Sequence, residues 1–109
     1  MQDDFDLAAV LSITTGINCT DSYSKIYELF CFMFEDDLLN PLSIGYLKDV
    51  ARKHIFRIHP ELKRAIYDPN IDIYDWINKQ KILYGDKITI SVIGENIVKL
   101  EKQSMVSDR

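Results

Sequence analysis

The chain has 109 residues, 47% of them hydrophobic, 11% aromatic and 28% charged, with only four glycines and three prolines. That is the size of one domain with one core and the composition of a folded globule, which excludes disordered, collagen-like and low-complexity chains. The longest unbroken apolar run, residues 29–34, is six residues long against the roughly 20 needed to cross a bilayer, so no membrane span is expected.

The opening Met1-Gln2-Asp3-Asp4-Phe5-Asp6 lacks the positive and apolar regions of a secretory leader, and a cytoplasmic protein is expected. Two cysteines, Cys19 and Cys31, are too few for a disulfide framework and stay reduced in such a compartment. The net charge of −4 is unevenly spread. Residues 1–47 hold eight acids against the single base Lys25, whereas residues 48–64 hold six bases (Lys48, Arg52, Lys53, Arg57, Lys63, Arg64) against Asp49 and Glu61. Such asymmetry steers a charged partner, or places acidic and basic elements against each other inside one unit.

In chain order, Leu7, Val10 and Leu11 repeat at helical spacing, with Asp6 as the expected cap and Gly16 as a left-handed stop, so a first helix is expected over residues 6–15. Thr20 and Asp21 offer the next cap. After them Tyr23, Ile26, Tyr27, Phe30, Met33 and Phe34 line one face of a second helix. Leu29, Cys31 and Phe32 fall outside that stripe, so its last turns are apolar on nearly every side and are expected either centrally in the core or at an interface.

Asn40-Pro41 reads as a helix start, cap and first position, and His59-Pro60 as its end. The inner face of this third helix is Ile44, Leu47, Ala51, His54, Ile55 and Ile58, and Lys48, Arg52, Lys53 and Arg57 are expected together on the opposite, solvent-facing side. Asp68-Pro69-Asn70 reads as a turn. Asp72 then caps a fourth helix with Ile73, Trp76, Ile77, Leu83 and Tyr84 inward and Gly85 as its stop. Residues 87–93 alternate in the manner of a half-buried strand, and a turn at Gly94-Glu95-Asn96 is expected to return as a second strand over residues 97–100. The expected fold class is α+β: a mainly helical small domain, residues 1–102, of about four helices with a C-terminal strand or β-hairpin, and a flexible tail over 103–109.

Catalytic chemistry finds little support. The four glycines, Gly16, Gly45, Gly85 and Gly94, stand singly rather than in a phosphate-binding loop. Cys19 and Cys31 lie twelve apart and His54 and His59 five apart, which is not the pairing of a zinc site, and no metal or other cofactor is expected. A Cys31–His54 nucleophile and base would place the thiol in an apolar helix, surroundings that do not favour the reactive thiolate, so Cys31 reads as structural. No enzyme is expected.

Binding is better supported. Glu35, Asp36 and Asp37 form an acidic run that either meets a basic partner or simply ends a helix in solvent. Lys48, Arg52, Lys53 and Arg57, with Lys63 and Arg64, would neutralise nucleic-acid phosphates, against a pI near 5.0 and an acidic first half that repels them. Phe30, Phe32 and Phe34 would serve as a homodimer interface.

The segment Leu11-Ser12-Ile13-Thr14-Thr15-Gly16, the helix around Tyr27, Glu28 and Leu29, the stretch His59-Pro60-Glu61-Leu62, and Trp76 followed by Tyr84-Gly85 resemble a family of small tailed-phage proteins of unknown function. That family carries Ser-x-Thr-Thr-Gly near the start, His-Pro-x-Leu in the middle and Trp, then Tyr/Phe-Gly, near the end. The likeness runs over residues 7–92, and the basic third helix and extended tail depart from it. It implies a phage or prophage product acting in the cytoplasm of a bacterial host cell, and it supplies no catalytic residues. Each signature also has a structural reading: a helix end with threonine hydroxyls on backbone carbonyls, a helix stop, a core tryptophan and a helix terminus. The expected function is therefore a small accessory protein that binds a host or defence-system protein and inhibits or redirects it, in the manner of anti-CRISPR and other anti-defence inhibitors. Its contacts would be Glu35, Asp36, Asp37, Lys48, Arg52, Lys53 and Arg57. The alternatives are a nucleic-acid-associated regulator using the third helix and a homodimeric structural phage protein.

Overall fold

The computed structural model describes residues 1–20 and 22–93 and runs β1 (Gln2–Asp6), α1 (Leu7–Thr15), α2 (Tyr23–Met33), α3 (Pro41–Ile58), a 3-10 turn (Pro60–Arg64), α4 (Ile73–Tyr84) and β2 (Lys87–Ser91). The four expected helices and the late strand are present, and the class is α+β. The strand has a partner that the sequence did not suggest. β2 pairs antiparallel with β1, Gln2 opposite Ser91 through Asp6 opposite Lys87. The expected second strand over 97–100 and the tail over 103–109 lie outside the described residues. Three aspartates among the five residues of β1 give it little strand character of its own, and its pairing is supplied by a segment more than eighty residues away.

α1 is the centre of the molecule. Seven of its nine residues are buried, among them Leu7, Val10 and Leu11, and Leu29 and Met33 of α2, Ile55 of α3, Leu62, Ile90 and Ile93 complete the most enclosed part of the core. A helix buried nearly all round must be covered on every side, and α2, α3, α4 and the β-ribbon all pack on it. The expected inward Leu83 is 70% exposed, because the buried arc of α4 runs through Trp76, Ile77 and Gln80 and turns Leu83 out beyond its edge.

Capping follows the sequence at four sites, Gly85 at the end of α4 among them, and departs from it at two. Asn40 accepts a bond from Leu42 N, Asp72 accepts from Tyr74 N and Asp75 N, and Gly16 closes α1 at φ +77°. Asp6, expected to cap α1, makes no capping bond. Its carboxylate takes Lys87 Nζ at 2.6 Å and Lys25 Nζ at 2.9 Å, two ammonium groups that outcompete a backbone amide, and first Lys87 and then Lys25 hold its pKa below the usual carboxylate value. α2 begins after Ser22, also without a side-chain cap; Ser22 Oγ instead pairs with Ser24 Oγ at 2.6 Å.

Both edges of β2 are occupied. Towards β1, Leu7 N donates to Asp86 O and Val92 N to Met1 O; on the other edge His59 Nε2 meets Thr89 O at 2.6 Å, His54 Nε2 meets Ser91 O at 2.7 Å and Ile93 N donates to Met33 O. The two histidines of the third helix and its end thus clip the ribbon to the helices, where an open strand edge would otherwise invite pairing with another chain.

Candidate binding surfaces

The four expected cations of α3 do not share one face. Lys48 and Arg52 are one turn apart, whereas Lys53 follows Lys48 by five residues, a rotation of about 140° around a helix that turns about 100° per residue. Lys48 and Arg52 consequently line a cleft with Ser12, Ile13, Gly16, Asn18, Tyr23, Ile26, Phe30 and Ile44, while Lys53 and Arg57 stand on the exposed outer side. On that outer side they continue, beyond the exposed Asp49, a line begun by Leu42 and Tyr46, 82% and 69% exposed, and Leu38 just before α3 is 87% exposed. Helical spacing alone separates the two pairs; what it leaves out is that the end of α1 lies beside Arg52.

The signature around Gly16 builds one wall of the cleft. Ser12 Oγ donates to Ala8 O and accepts from Cys19 N, and Thr15 Oγ1 donates to Leu11 O and accepts from Ile17 N. These bonds turn the chain at the end of α1 and give acceptors to the amides of Ile17 and Cys19, which follow the helix. Gly16, at φ +77°, lies beside the guanidinium: a Cβ placed there would be in ordinary contact, 3.8 Å from Arg52 Nη2. Arg52 Nη1 reaches Asp49 Oδ1 only at 3.9 Å, and its Nε–H is buried without an acceptor among the described residues.

Glu35, Asp36 and Asp37 are exposed at the other end of α2 from Tyr23, about 16 Å away by the helical rise. They form the helix end. Glu35 N donates to Phe32 O and Asp36 N to Cys31 O, the paired bonds of a Schellman close, with Glu35 at φ +53° where glycine is the usual residue. We expect Glu35→Gly to stabilise the protein by about 0.5–1 kcal/mol, read as a rise in the denaturation midpoint at unchanged slope.

The phenylalanines expected at a dimer interface are used within the chain. Phe30 is 2% exposed and stacks with Phe34 at 6.3 Å between ring centroids, and Phe32 packs on Phe5 of β1 at 5.0 Å. Cys31 and His54 do not meet as nucleophile and base: His54 is committed to Ser91, and Cys31 Sγ lies 3.9 Å from Asp37 O. Burial pushes the Cys19 thiol above its ordinary pKa, the opposite of activation. Among the described residues no three metal-ligating side chains converge, and no helix is long and apolar enough to cross a membrane. Comparison with protein families, with curated proteins and with solved structures finds no match to the chain.

Proposed function

We propose that the protein is a non-enzymatic binding protein that docks the outer face of α3 on an acidic surface of a partner protein and thereby inhibits or redirects it. The observation that carries this reading is the exposed outer face of α3, where Leu42 and Tyr46 stand one turn apart and Lys53 and Arg57 follow beyond Asp49. Two large apolar side chains one turn apart leave water only on association, and Lys53 and Arg57, which follow beyond the exposed Asp49, favour an acidic partner and speed its encounter. The resemblance to small tailed-phage proteins supplies the class of partner: a host or defence-system protein of the bacterial cell. The nucleic-acid alternative needs the cations of α3 to neutralise neighbouring phosphates together, and their division between cleft and outer face counts against it. The dimer alternative would have to use rings that already pack within the chain, Phe30 on Phe34 and Phe32 on Phe5.

The test is capture of partners by tagged protein from nuclease-treated bacterial lysate, eluted in steps of salt and identified by mass spectrometry. The Leu42→Ser/Tyr46→Ser and Lys53→Glu/Arg57→Glu pairs are each expected to weaken a stoichiometric partner by about tenfold or more while melting within a few degrees of the parent. Retention of the same partner by both pairs overturns the reading. Loss on reversing Glu35, Asp36 and Asp37 instead transfers the contact to the acidic run, and recovery of nucleic acid alone, released at moderate salt, favours the regulator.

A further inference from the structure

We infer that the cleft between α1, α2 and α3 is a binding site for a small amphipathic anion, a carboxylate carried on an apolar group about the size of a benzene ring. The site is separate from the outer face of α3 and stands whether or not that face binds a partner.

Size sets the first limit. The cleft holds about 170 Å³, and a cavity on the order of 150 Å³ takes up one benzene ring. Its floor is apolar: Ile13, Ile26, Phe30 and Ile44, all buried, present only carbon to the interior of the cleft. Tyr23 stands exposed at its mouth. An apolar ring therefore gains by entering and a fully hydrated ion does not.

Charge sets the second limit. Among the described residues Lys48 and Arg52 are the only charged ones lining the cleft, and both are cations. The guanidinium lies beside Gly16, and its Nε–H is enclosed with no acceptor among the described residues, so a turn of the fork towards a carboxylate in the cleft would give that group the acceptor it lacks. Asp49 does not serve in that place, since it is exposed and touches Nη1 at 3.9 Å. A planar carboxylate suits the fork of Arg52, with Lys48 one turn away as a second, more mobile charge. Ser12 contributes shape rather than recognition, because its hydroxyl is already bonded to Ala8 O and Cys19 N.

The probe is phenylacetate, titrated into the full-length ¹⁵N-labelled protein while the amides of Gly16 and Asn18 and the side-chain Nε–H of Arg52 are followed. Saturable shifts at these three groups are expected, with benzyl alcohol, which lacks the charge, and acetate, which lacks the ring, each binding about tenfold more weakly or worse. Lys48→Gln is expected to weaken phenylacetate by about tenfold with the melting temperature unchanged, and it is preferred to an Arg52 variant because Arg52 also packs on the end of α1. Absence of saturation by about 10 mM, equal binding of benzyl alcohol, or shifts located away from the cleft would each overturn the assignment.

Discussion

Trp76→Ala is expected to cost about 3–5 kcal/mol, as large a loss as truncation of a single core side chain ordinarily produces. The indole is 3% exposed, meets the Tyr67 ring edge-on at 5.4 Å and donates its N–H to Ile66 O at 3.1 Å. Those contacts hold the irregular segment between the 3-10 turn and α4, which is also supported by the Tyr67 hydroxyl on Ile71 O and by Ile71 N on Asp68 O. Truncation would empty the space under α4 and orphan the Ile66 carbonyl together. Trp76→Phe separates the two: it keeps most of the ring and loses the donor, for an expected cost of about 1–3 kcal/mol. Against a total stability of about 5–15 kcal/mol typical of such domains, the alanine variant should be visibly destabilised in urea, and a loss under about 1 kcal/mol would show that the indole does not anchor α4.

Trp76 was readable from the sequence because its helix could be placed from Asp72 and its burial followed from spacing. The same holds for α1 with Gly16, for α3 with Asn40 and for the alternation in β2, each a signal contained within a few neighbouring residues. β1 was not readable, and its loss propagated. With no strand at Phe5, Phe32 had no visible partner and the phenylalanines of α2 read as an external interface, whereas Phe5 covers Phe32. Asp6 likewise read as a cap because Lys87, its cross-strand neighbour, is distant in sequence. The Schellman close at Glu35 carries no sequence signal, since glycine is what marks it elsewhere. The cleft was half legible: the i, i+4 pairing of Lys48 with Arg52 separates them from Lys53 and Arg57, but the wall supplied by Ser12 and Gly16 depends on how α1 crosses α3.

His54 carries the second large effect and makes stability depend on pH. His54→Ala is expected to cost about 2–4 kcal/mol, because it removes a buried ring and leaves the Ser91 carbonyl without its donor. That carbonyl can only accept, so Nε2 carries the proton of the neutral ring and Nδ1 is the bare nitrogen, buried with no partner among the described residues. Protonating Nδ1 would bury a charge beside a donor with nowhere to go. Burial is the main cause that holds the His54 pKa below its ordinary 6.5, the bond to Ser91 opposes the shift, and the positive charge of Arg57 adds to it. The unfolded chain then binds the proton more readily than the folded one. The His54 contribution is accordingly full above about pH 6.5 and is lost as pH falls through the lower folded value. Denaturation midpoints should decline from about pH 7.5 towards about pH 5, above the range where most carboxylates titrate. His54→Gln, whose amide can keep a donor on Ser91 O without a titrating ring, should flatten that decline, with His59→Gln as the control for the neighbouring imidazole on Thr89 O. An equal decline in parent and His54→Gln would assign the pH dependence to other groups and leave His54 as a clip between α3 and β2 alone.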